Sequence, residues 1–271
     1  MRVLLYTNAR NERNIAEWCA HHLLLGFNGI FIFDHKSDQP IIDYLRPFSP
    51  KVKILRVDGD GNIKIKLMKS AVNHAISLNA DWMIYLDADE FLVLNSFSNV
   101  KEMLQLFDQK GADHLCINWL MFGSNNLINQ HEGLIIDSYT KSELKLNQHV
   151  KSFVKPSKVV NIINPHFYII NNDYRRFDVC SGGIHHNTSN FAFNNIPLPF
   201  IKSPAYIAHY VFQSEESYKK RKQLLPADDG SGFRSIPDNF HNLYNDIENR
   251  QLIVKYSQNI KDFLQRFGKT Y

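Results

Sequence analysis

Short apolar runs alternate with amphipathic segments over the first hundred residues. Apolar runs lie at 2–6, 30–33, 51–58 and 82–86, each followed by polar or acidic residues. Between them, the segments at 14–27, 41–48 and 63–80 carry apolar residues at helical spacing, and the first of these ends at Gly26, a plausible C-cap. The order β-α-β-α-β-α-β predicts a mostly parallel sheet with right-handed crossovers, in which ligands bind at the carboxyl ends of the strands.

The pattern becomes less regular after residue 100. A helix is predicted at 101–111, a strand at 113–123, and further strands at 149–162 and 165–170. A long polar stretch follows at 171–205, and the basic segments at 214–225 and 241–269 are predicted to be helical. We therefore expect one domain over 1–225, with halves 1–100 and 101–225, and a C-terminal helical extension over 226–271.

Composition narrows the class of protein. The 271 residues are 44% hydrophobic, which is sufficient for a substantial core, and the net charge of +4 is too small for a nucleic-acid-binding protein. The three cysteines lack CxxC spacing, which indicates a reducing compartment. Because no apolar run approaches the roughly 20 residues of a membrane span, we expect a cytoplasmic protein with at most peripheral contact at the inner face of the membrane.

The stretch DWMIYLDADEFLVL, residues 81–94, places three carboxylates directly after an apolar run. A buried carboxylate without a partner loses several kcal/mol of hydration. Oxygen ligands of this kind suit Mg²⁺ or Mn²⁺ shared with substrate phosphates. The alternative is that Asp87 or Asp89 caps a helix that begins near Phe91.

Five blocks of the chain resemble glycosyltransferases of family 92 and family 2, in the order found in those enzymes. They are RNERNIAEWCAHHLLLGFNGIFIFDHKSD, WMIYLDADEF, INWLMFGSNN, VKSFVKP and AHYVFQSEESYKKRK, which together fall within roughly residues 3 to 225. The resemblance implies the GT-A fold, a Rossmann-like α/β architecture with a mixed, mostly parallel sheet flanked by helices. It also implies a DxD motif that holds Mn²⁺ or Mg²⁺, and a nucleotide-sugar donor such as a UDP-hexose.

The resemblance also suggests a role for individual side chains. The predicted residues are Thr7, Asn11, Glu12, Asp34, Asp87 and Lys151 for the donor, Asp87, Asp89 and His209 for the metal, Glu90 for orienting ligands at the catalytic centre, and Trp119 for the acceptor sugar. Lys219 and Lys222 are the alternatives to Lys151 for neutralising the diphosphate. Each has a structural alternative. Asp34 is equally suited to a turn, Glu12 to the first turn of a helix, His209 to a core, Lys151 to the surface, and Trp119 to a buried aromatic cluster.

Inverting transfer requires a general base that accepts the proton of the attacking hydroxyl group. The candidates in the second half of the domain are Glu132, Asp137, Asp178 and His185. Asp137 follows the apolar residues 134–136 and is expected at a strand exit, so we rank it first.

The resemblance thus implies a metal-dependent glycosyltransferase that moves a hexose, first of all galactose from UDP-galactose. It favours inversion, although the residues alone do not exclude a retaining enzyme, which would need no such base. The expected acceptor is a surface glycan such as lipopolysaccharide or capsule, free or lipid-linked. The alternatives are a non-catalytic sugar- or partner-binding domain and a nucleotidyl- or phospho-sugar enzyme, although the start of the chain lacks the Gly-rich phosphate loop usual in the latter. Asp89→Ala is expected to abolish transfer with an unchanged or higher melting temperature.

Overall fold

The computed structural model describes residues 1–48, 50–59, 63–185, 190–223 and 232–268. Within these ranges the chain alternates strands and helices from its start to residue 109 and is richer in strands and turns afterwards. The strands are β1 (Val3–Ala9), β2 (Gly29–His35), β3 (Val52–Val57), β4 (Trp82–Tyr85), β5 (Glu90–Leu94), β6 (His114–Met121), β7 (Lys141–Ser142), β8 (Val150–Val154), β9 (Val159–Asn164), β10 (Phe167–Ile170), β11 (Arg176–Asp178), β12 (Ala205–His209) and β13 (Ile247–Glu248). The α-helices are α1 (Ile15–Leu24), α2 (Ile41–Leu45), α3 (Lys64–Ser77), α4 (Val100–Gln109), α5 (Ile135–Ser138), α6 (Glu215–Tyr218) and α7 (Gln258–Gln265).

One mixed sheet organises these elements. Its strand order is β3-β2-β1-β4-β8-β6-β12-β5, and β11 pairs with β6 outside this path. The strands β3, β2, β1 and β4 are parallel, β8 runs antiparallel between β4 and β6, and β12 is parallel to β6. The predicted β-α-β-α-β-α-β order and the mixed, mostly parallel sheet flanked by helices are confirmed.

Both faces of the parallel half of the sheet are covered, because successive side chains of a strand point to opposite faces. Leu5 and Ile84 belong to the buried cluster that contains α1, whereas Leu4 and Met83 belong to the cluster that contains α3. The helix α1 ends as predicted, since Gly26 follows it with φ = +95°, a left-handed conformation that glycine adopts without steric cost.

One local alternative and one local prediction are wrong. The residues after the acidic turn form β5, so neither Asp87 nor Asp89 caps a helix at Phe91. Asp137 does not leave a strand but lies in the single helical turn α5. The reason is the buried carboxylate of Glu17, which accepts the backbone N–H groups of Ile135 at 2.7 Å and Ile136 at 3.1 Å and so anchors the start of that turn.

The predicted C-terminal helix is shorter than expected. Residues 243–248 are held by long-range contacts: Asn245 Oδ1 accepts from Asn125 N–H, and β13 pairs with β7. Helical structure resumes in the π-helical segment Ile253–Ser257 and continues through α7. These tertiary hydrogen bonds replace the i→i−4 bonds that a continuous helix would have made.

The apolar face of α7 packs inside the protein. Ile260 and Leu264 are fully buried in the cluster that contains α1, and Phe267 stacks on Phe48 with ring centroids 5.0 Å apart. The protein's own core thus covers this face. No helix among the described residues has the length and apolar character needed to cross a bilayer. The expected division after residue 225 lies outside the described residues.

Candidate active site

The acidic turn lies at the carboxyl edge of β4, beside the end of β12. Leu86 N–H still donates to the Tyr6 carbonyl of β1, and the chain then turns through residues 87–89 before β5 begins. His209, the last residue of β12, lies opposite Glu90 in the antiparallel pairing, and the carbonyl of Asp89 accepts from Tyr210 N–H at 2.9 Å. The fold therefore places this edge where ligands bind in parallel α/β sheets.

Asp87 is held between two lysines. Its Oδ1 is 2.5 Å from Lys64 Nζ at the start of α3, and its Oδ2 is 3.2 Å from Lys151 Nζ on β8. Burial opposes ionisation, yet the charges of Lys151 and Lys64 hold the pKa of Asp87 below its ordinary value. Both carboxylate oxygens are thus engaged by ammonium groups.

Asp89 is more deeply buried and also faces cations. Its Oδ2 is 2.7 Å from Lys222 Nζ and 3.0 Å from Arg221 Nη1. Its Oδ1 has no hydrogen-bond partner among the described residues and lies 3.6 Å from His209 Nε2. Burial again opposes ionisation, but Lys222, His209 and Arg221 hold the pKa of Asp89 well below its ordinary value.

The pKa of Glu90 is shifted in the opposite direction from those of the two aspartates. It is fully buried, its Oε2 accepts Asp87 N–H at 2.8 Å, and its Oε1 lies 3.7 Å from Lys151 Nζ. Burial, with the negative charges of Asp87 and Asp89, raises the pKa of Glu90 to about 8 against the opposite effect of Lys151. Glu90 therefore fixes the backbone of the acidic turn.

Glu12 joins the site through Arg221, whose Nη1 lies 3.4 Å from Glu12 Oε1. The two side chains form one wall of a cavity of about 310 Å³ that also reaches Asn11, Asn14 and Ser217. Glu12 precedes α1, which begins at Ile15, so the helix first-turn alternative does not describe it. Asn11 and Glu12 thus line the same cavity, and their role in binding the donor stays a prediction.

The described residues around the acidic turn include donors suited to a divalent cation. Asp89 Oδ1 is an unpartnered carboxylate oxygen, and His209 Nε2 is close enough to share an ion with it. Burial lowers the pKa of His209 despite the opposite effect of Asp89, which favours the neutral, metal-binding imidazole. Asp87 turns to the lysines instead, and the described chain brings no three His, Cys, Asp or Glu side chains together as a metal cage. Asp89 and His209 fit a cation that takes its other ligands from phosphate and water.

Other predicted residues have mainly structural contacts. Thr7 is buried in β1 and donates to the carbonyl of Asn8. The Asp34 carboxylate accepts from Ser37 N–H, Ile41 N–H and Arg56 Nη1 at 3.0–3.1 Å, as a turn residue does.

Trp119 does lie beside the site, but its ring packs against histidines. Its centroid is 5.2 Å from that of His149, nearly parallel, and 4.3 Å from that of His209. The buried aromatic alternative therefore describes Trp119 better than an open platform for a sugar.

The candidates for a general base are dispersed. Asp137 forms an ion pair with Lys261 of α7 at 2.6 Å. Asp178 accepts the backbone N–H of Ser181 at 2.7 Å. Glu132 is exposed and His185 is buried against Phe191. Among the described residues, none of these four side chains contacts the acidic turn. The catalytic role of Asp137 stays a prediction.

Sequence reasoning missed two cations of the site, Lys64 and Arg221. Lys64 is hidden in the sequence because it begins a helix in which lysines recur, and only the fold shows which one faces Asp87. Arg221 lies between lysines in the block SEESYKKRK, where nothing in the pattern separates a buried residue from exposed ones. The adjacent Lys222, a candidate for binding the diphosphate, is the signal that could have drawn attention to this basic segment.

Comparisons with known proteins give one family and several distant structures. The profile described as "Glycosyltransferase family 92" matches residues 4–220. No curated protein matches the chain significantly. Solved structures similar to it include TarS 1–349 of S. aureus in complex with UDP (13% identity, 58% of this chain and 47% of that chain, TM-score 0.39). Two others are mannose-1-phosphate geranyltransferase from Thermus thermophilus (12%, 58% and 50%, TM-score 0.32) and 4-diphosphocytidyl-2C-methyl-D-erythritol synthase (10%, 58% and 77%, TM-score 0.34). The chain thus spans about half the length of the first two.

Proposed function

This chain belongs to glycosyltransferase family 92 and is a glycosyltransferase, and we propose that it transfers a hexose from a UDP-hexose to a glycan acceptor with the help of Mn²⁺ or Mg²⁺. The observation that carries this proposal is the charge arrangement at the acidic turn. Four cations, Lys64, Lys151, Arg221 and Lys222, lie within 3.2 Å of Asp87 or Asp89. A diphosphate is the anion that such a cluster suits, because it offers several oxygens to ammonium and guanidinium groups at once.

The donor would displace some of these ion pairs. Lys222 is the partner with the simplest route, since its side chain is the most exposed of the four cations (17%). Arg221, held by Glu12 as well as Asp89, would keep its position and present its guanidinium group to the β-phosphate. Asp87, with 23% of its side chain exposed, would then be free to accept hydroxyl groups of the ribose or the sugar.

Asp89 and His209 would hold the divalent cation, and Glu90 would keep the turn in place through Asp87 N–H. The cation supplies Lewis-acid stabilisation of the charge that develops on the departing diphosphate. The cationic side chains add to that stabilisation in a partly buried site, where electrostatic interactions are stronger than in water.

Galactose from UDP-galactose is the first donor to test, and a surface glycan such as lipopolysaccharide or capsule, free or lipid-linked, is the first acceptor. Inversion at the anomeric carbon is the proposed stereochemistry. Cytoplasmic placement with the acceptor at the inner membrane face follows from the same proposal. All of these details derive from the family resemblance in the sequence.

A thermal-shift screen tests the donor and the cation together. UDP, GDP and CMP are each added with Mn²⁺, with Mg²⁺, and with EDTA. The expected result is a rise in melting temperature with UDP that is larger in the presence of Mn²⁺, followed by release of UDP from UDP-galactose in a coupled assay. A GDP or CMP shift without a UDP shift would refute the proposed donor, and equal UDP shifts with Mn²⁺ and EDTA would refute the proposed cation site.

A further inference from the structure

A cluster of imidazoles lies beside the acidic turn, around Trp119. The ring of His149 stacks on the indole at 5.2 Å with an interplanar angle of 20°, and the ring of His166 meets it edge-on at 5.1 Å. His209, whose Nε2 is 3.6 Å from Asp89, packs against the same indole at 4.3 Å. His149 and the proposed cation ligand His209 therefore pack against the same indole ring.

The backbone holds His149 firmly in this place. Trp119 N–H donates to the His149 carbonyl at 2.9 Å, and Asn147 N–H donates to the Trp119 carbonyl at 2.8 Å. These two bonds extend the antiparallel pairing of β8 with β6 beyond Val150. The segment 147–149 is thus fixed to the strand that ends at the site.

Asn147 determines which nitrogen of His149 carries the proton. The backbone N–H of His149 lies 3.2 Å from Asn147 Oδ1, and because a backbone N–H only donates, this side-chain atom is the carbonyl oxygen. The same oxygen is 2.8 Å from His149 Nδ1, so Nδ1 must donate to it. Asn147 Nδ2, 3.4 Å from both carboxylate oxygens of Glu143, completes the arrangement. The neutral imidazole consequently carries its lone pair on Nε2, for which the described residues offer no partner.

The surroundings of His149 keep it neutral. Burial, followed by the neighbouring His209, lowers the pKa of His149 from its ordinary value. The other titratable groups that face it are His166, with ring centroids 5.8 Å apart, Lys151 across the indole of Trp119, and Glu143 behind Asn147. His149 remains partly exposed, so a substrate hydroxyl group and solvent can reach the ring.

We infer that His149 is the general base of the transfer reaction and that Asn147 is its positioning residue. Nε2 takes the proton of the acceptor hydroxyl group while that oxygen bonds to the anomeric carbon. The bond between the anomeric carbon and the diphosphate oxygen breaks, and its electron pair leaves with UDP. The imidazolium then donates from Nδ1 to Asn147 Oδ1 and releases the proton from Nε2 to solvent. This inference rests on the proposed function, since it requires a displacement by a hydroxyl group.

His166 is the nearest competitor for the same role. Its Nδ1 donates to the Val150 carbonyl at 3.0 Å, which also leaves Nε2 as the acceptor. Burial and the charge of Lys151 lower the pKa of His166 to about 3, so it is a weak proton acceptor at neutral pH. His166→Gln is therefore a matched comparison for His149→Gln, since both change one neutral histidine beside Trp119.

The test measures transfer from UDP-galactose to a panel of p-nitrophenyl glycosides, with azide as a second acceptor. We expect His149→Gln to lower transfer to hydroxyl acceptors by about 10²-fold or more. Formation of the glycosyl azide should fall by less than about 5-fold, because azide has no proton to lose. UDP affinity should stay within about 3-fold of wild type. His166→Gln should reduce transfer by less than about 5-fold, since the inferred base is His149.

The pH profile and the tautomer provide readouts that a merely structural role would not change. Asn147→Asp should move the acidic limb of the rate profile to higher pH, because a carboxylate raises the pKa of the adjacent imidazole. His149→Gln should remove that limb. In ¹⁵N NMR of the free enzyme, the His149 signal, assigned by its loss in His149→Gln, should show the Nδ1–H tautomer.

Each failure has its own signature. Normal transfer by wild type and by His149→Gln would overturn this inference alone, as would an Nε2–H tautomer. A wild-type enzyme that binds no UDP and transfers no sugar would overturn the proposed function, and this inference with it. An equal loss of hydroxyl and azide transfer in a folded His149→Gln would show that His149 shapes the site without acting as the base.

Discussion

Removing Asp89 tests both the structure of the site and its proposed chemistry. In Asp89→Ala, Lys222 and Arg221 lose the carboxylate that lies 2.7 and 3.0 Å from them. Breaking a buried ion pair by removing one partner costs about 3–5 kcal/mol. Arg221 keeps Glu12, and Lys222 is 17% exposed and can turn to solvent, so the lower end of this range applies.

The assay compares stability, binding and turnover in the same protein preparations. A loss of about 3 kcal/mol should lower the melting temperature by roughly 6–12 °C. Transfer should fall by about 10²-fold or more, as when one group that stabilises transition-state charge is removed. UDP should now stabilise the variant without Mn²⁺, because its diphosphate replaces the missing negative charge beside Lys222.

The sequence-based expectation of an unchanged or higher melting temperature for Asp89→Ala is thereby revised, because that expectation assumed a carboxylate without cationic partners. Asp262→Ala is the matched control, since Asp262 is exposed on α7 and its carboxylate accepts, among the described residues, from the side chain of Gln258 alone. Its stability should stay within about 0.5 kcal/mol of wild type. An Asp89→Ala variant that melts with wild type would refute the ion-pair network, and one that transfers sugar at the wild-type rate in EDTA would refute the cation site.

Three further outcomes follow from the contacts of single side chains. Lys64→Met should weaken UDP binding by about 10-fold, the effect of losing one charge-assisted bond. Calorimetry should show that the UDP affinity of the variant depends less on salt concentration. An unchanged UDP affinity would mean that Lys64 pairs with Asp87 and does not bind the donor. Asp34→Asn should lower the free energy of unfolding in urea by about 1–2 kcal/mol and leave UDP affinity within about 3-fold, whereas a large loss of affinity would restore the nucleoside-binding role of Asp34. Burial raises the pKa of Glu17 from 4.5 to about 8. Between these two pH values the native state keeps a proton that the unfolded chain releases. The stability that this group contributes is therefore complete below pH 4.5 and is lost as the pH rises through 8. The free energy of unfolding, measured in urea between pH 5 and 8.5, should therefore decline less steeply in Glu17→Gln than in wild type. Parallel curves of this free energy against pH would contradict the raised pKa.

The first half of the chain was predictable because its signals are local. The alternation of apolar runs and amphipathic segments depends on the periods of strands and helices, and each element there has a length and a boundary residue that its own sequence supplies. The acidic turn was found for the same reason, since three carboxylates after an apolar strand need no knowledge of distant residues to be conspicuous. The parallel order of β1, β2, β3 and β4 then followed from general rules of chain connection.

The errors arose where distant residues decide the local structure. Residues 135–138 form a helical turn because Glu17, more than a hundred positions away, accepts their N–H groups. Residues 243–248 are not helical because Asn125 and β7 bind them. Local propensity is worth only tenths of a kcal/mol per residue, and such tertiary hydrogen bonds outweigh it.

By itself, then, the sequence determined the α/β architecture, the family and the position of the acidic turn along the chain. Only the tertiary structure decided which cations face that turn, that Asp34 is occupied as a turn residue, and that Asn147 orients His149 beside Trp119. The physical reason is that charge pairing and the choice of a histidine tautomer depend on distances of about 3 Å between side chains from different strands and helices. Spacing along one chain does not specify those distances, because they are set when the sheet and its helices pack.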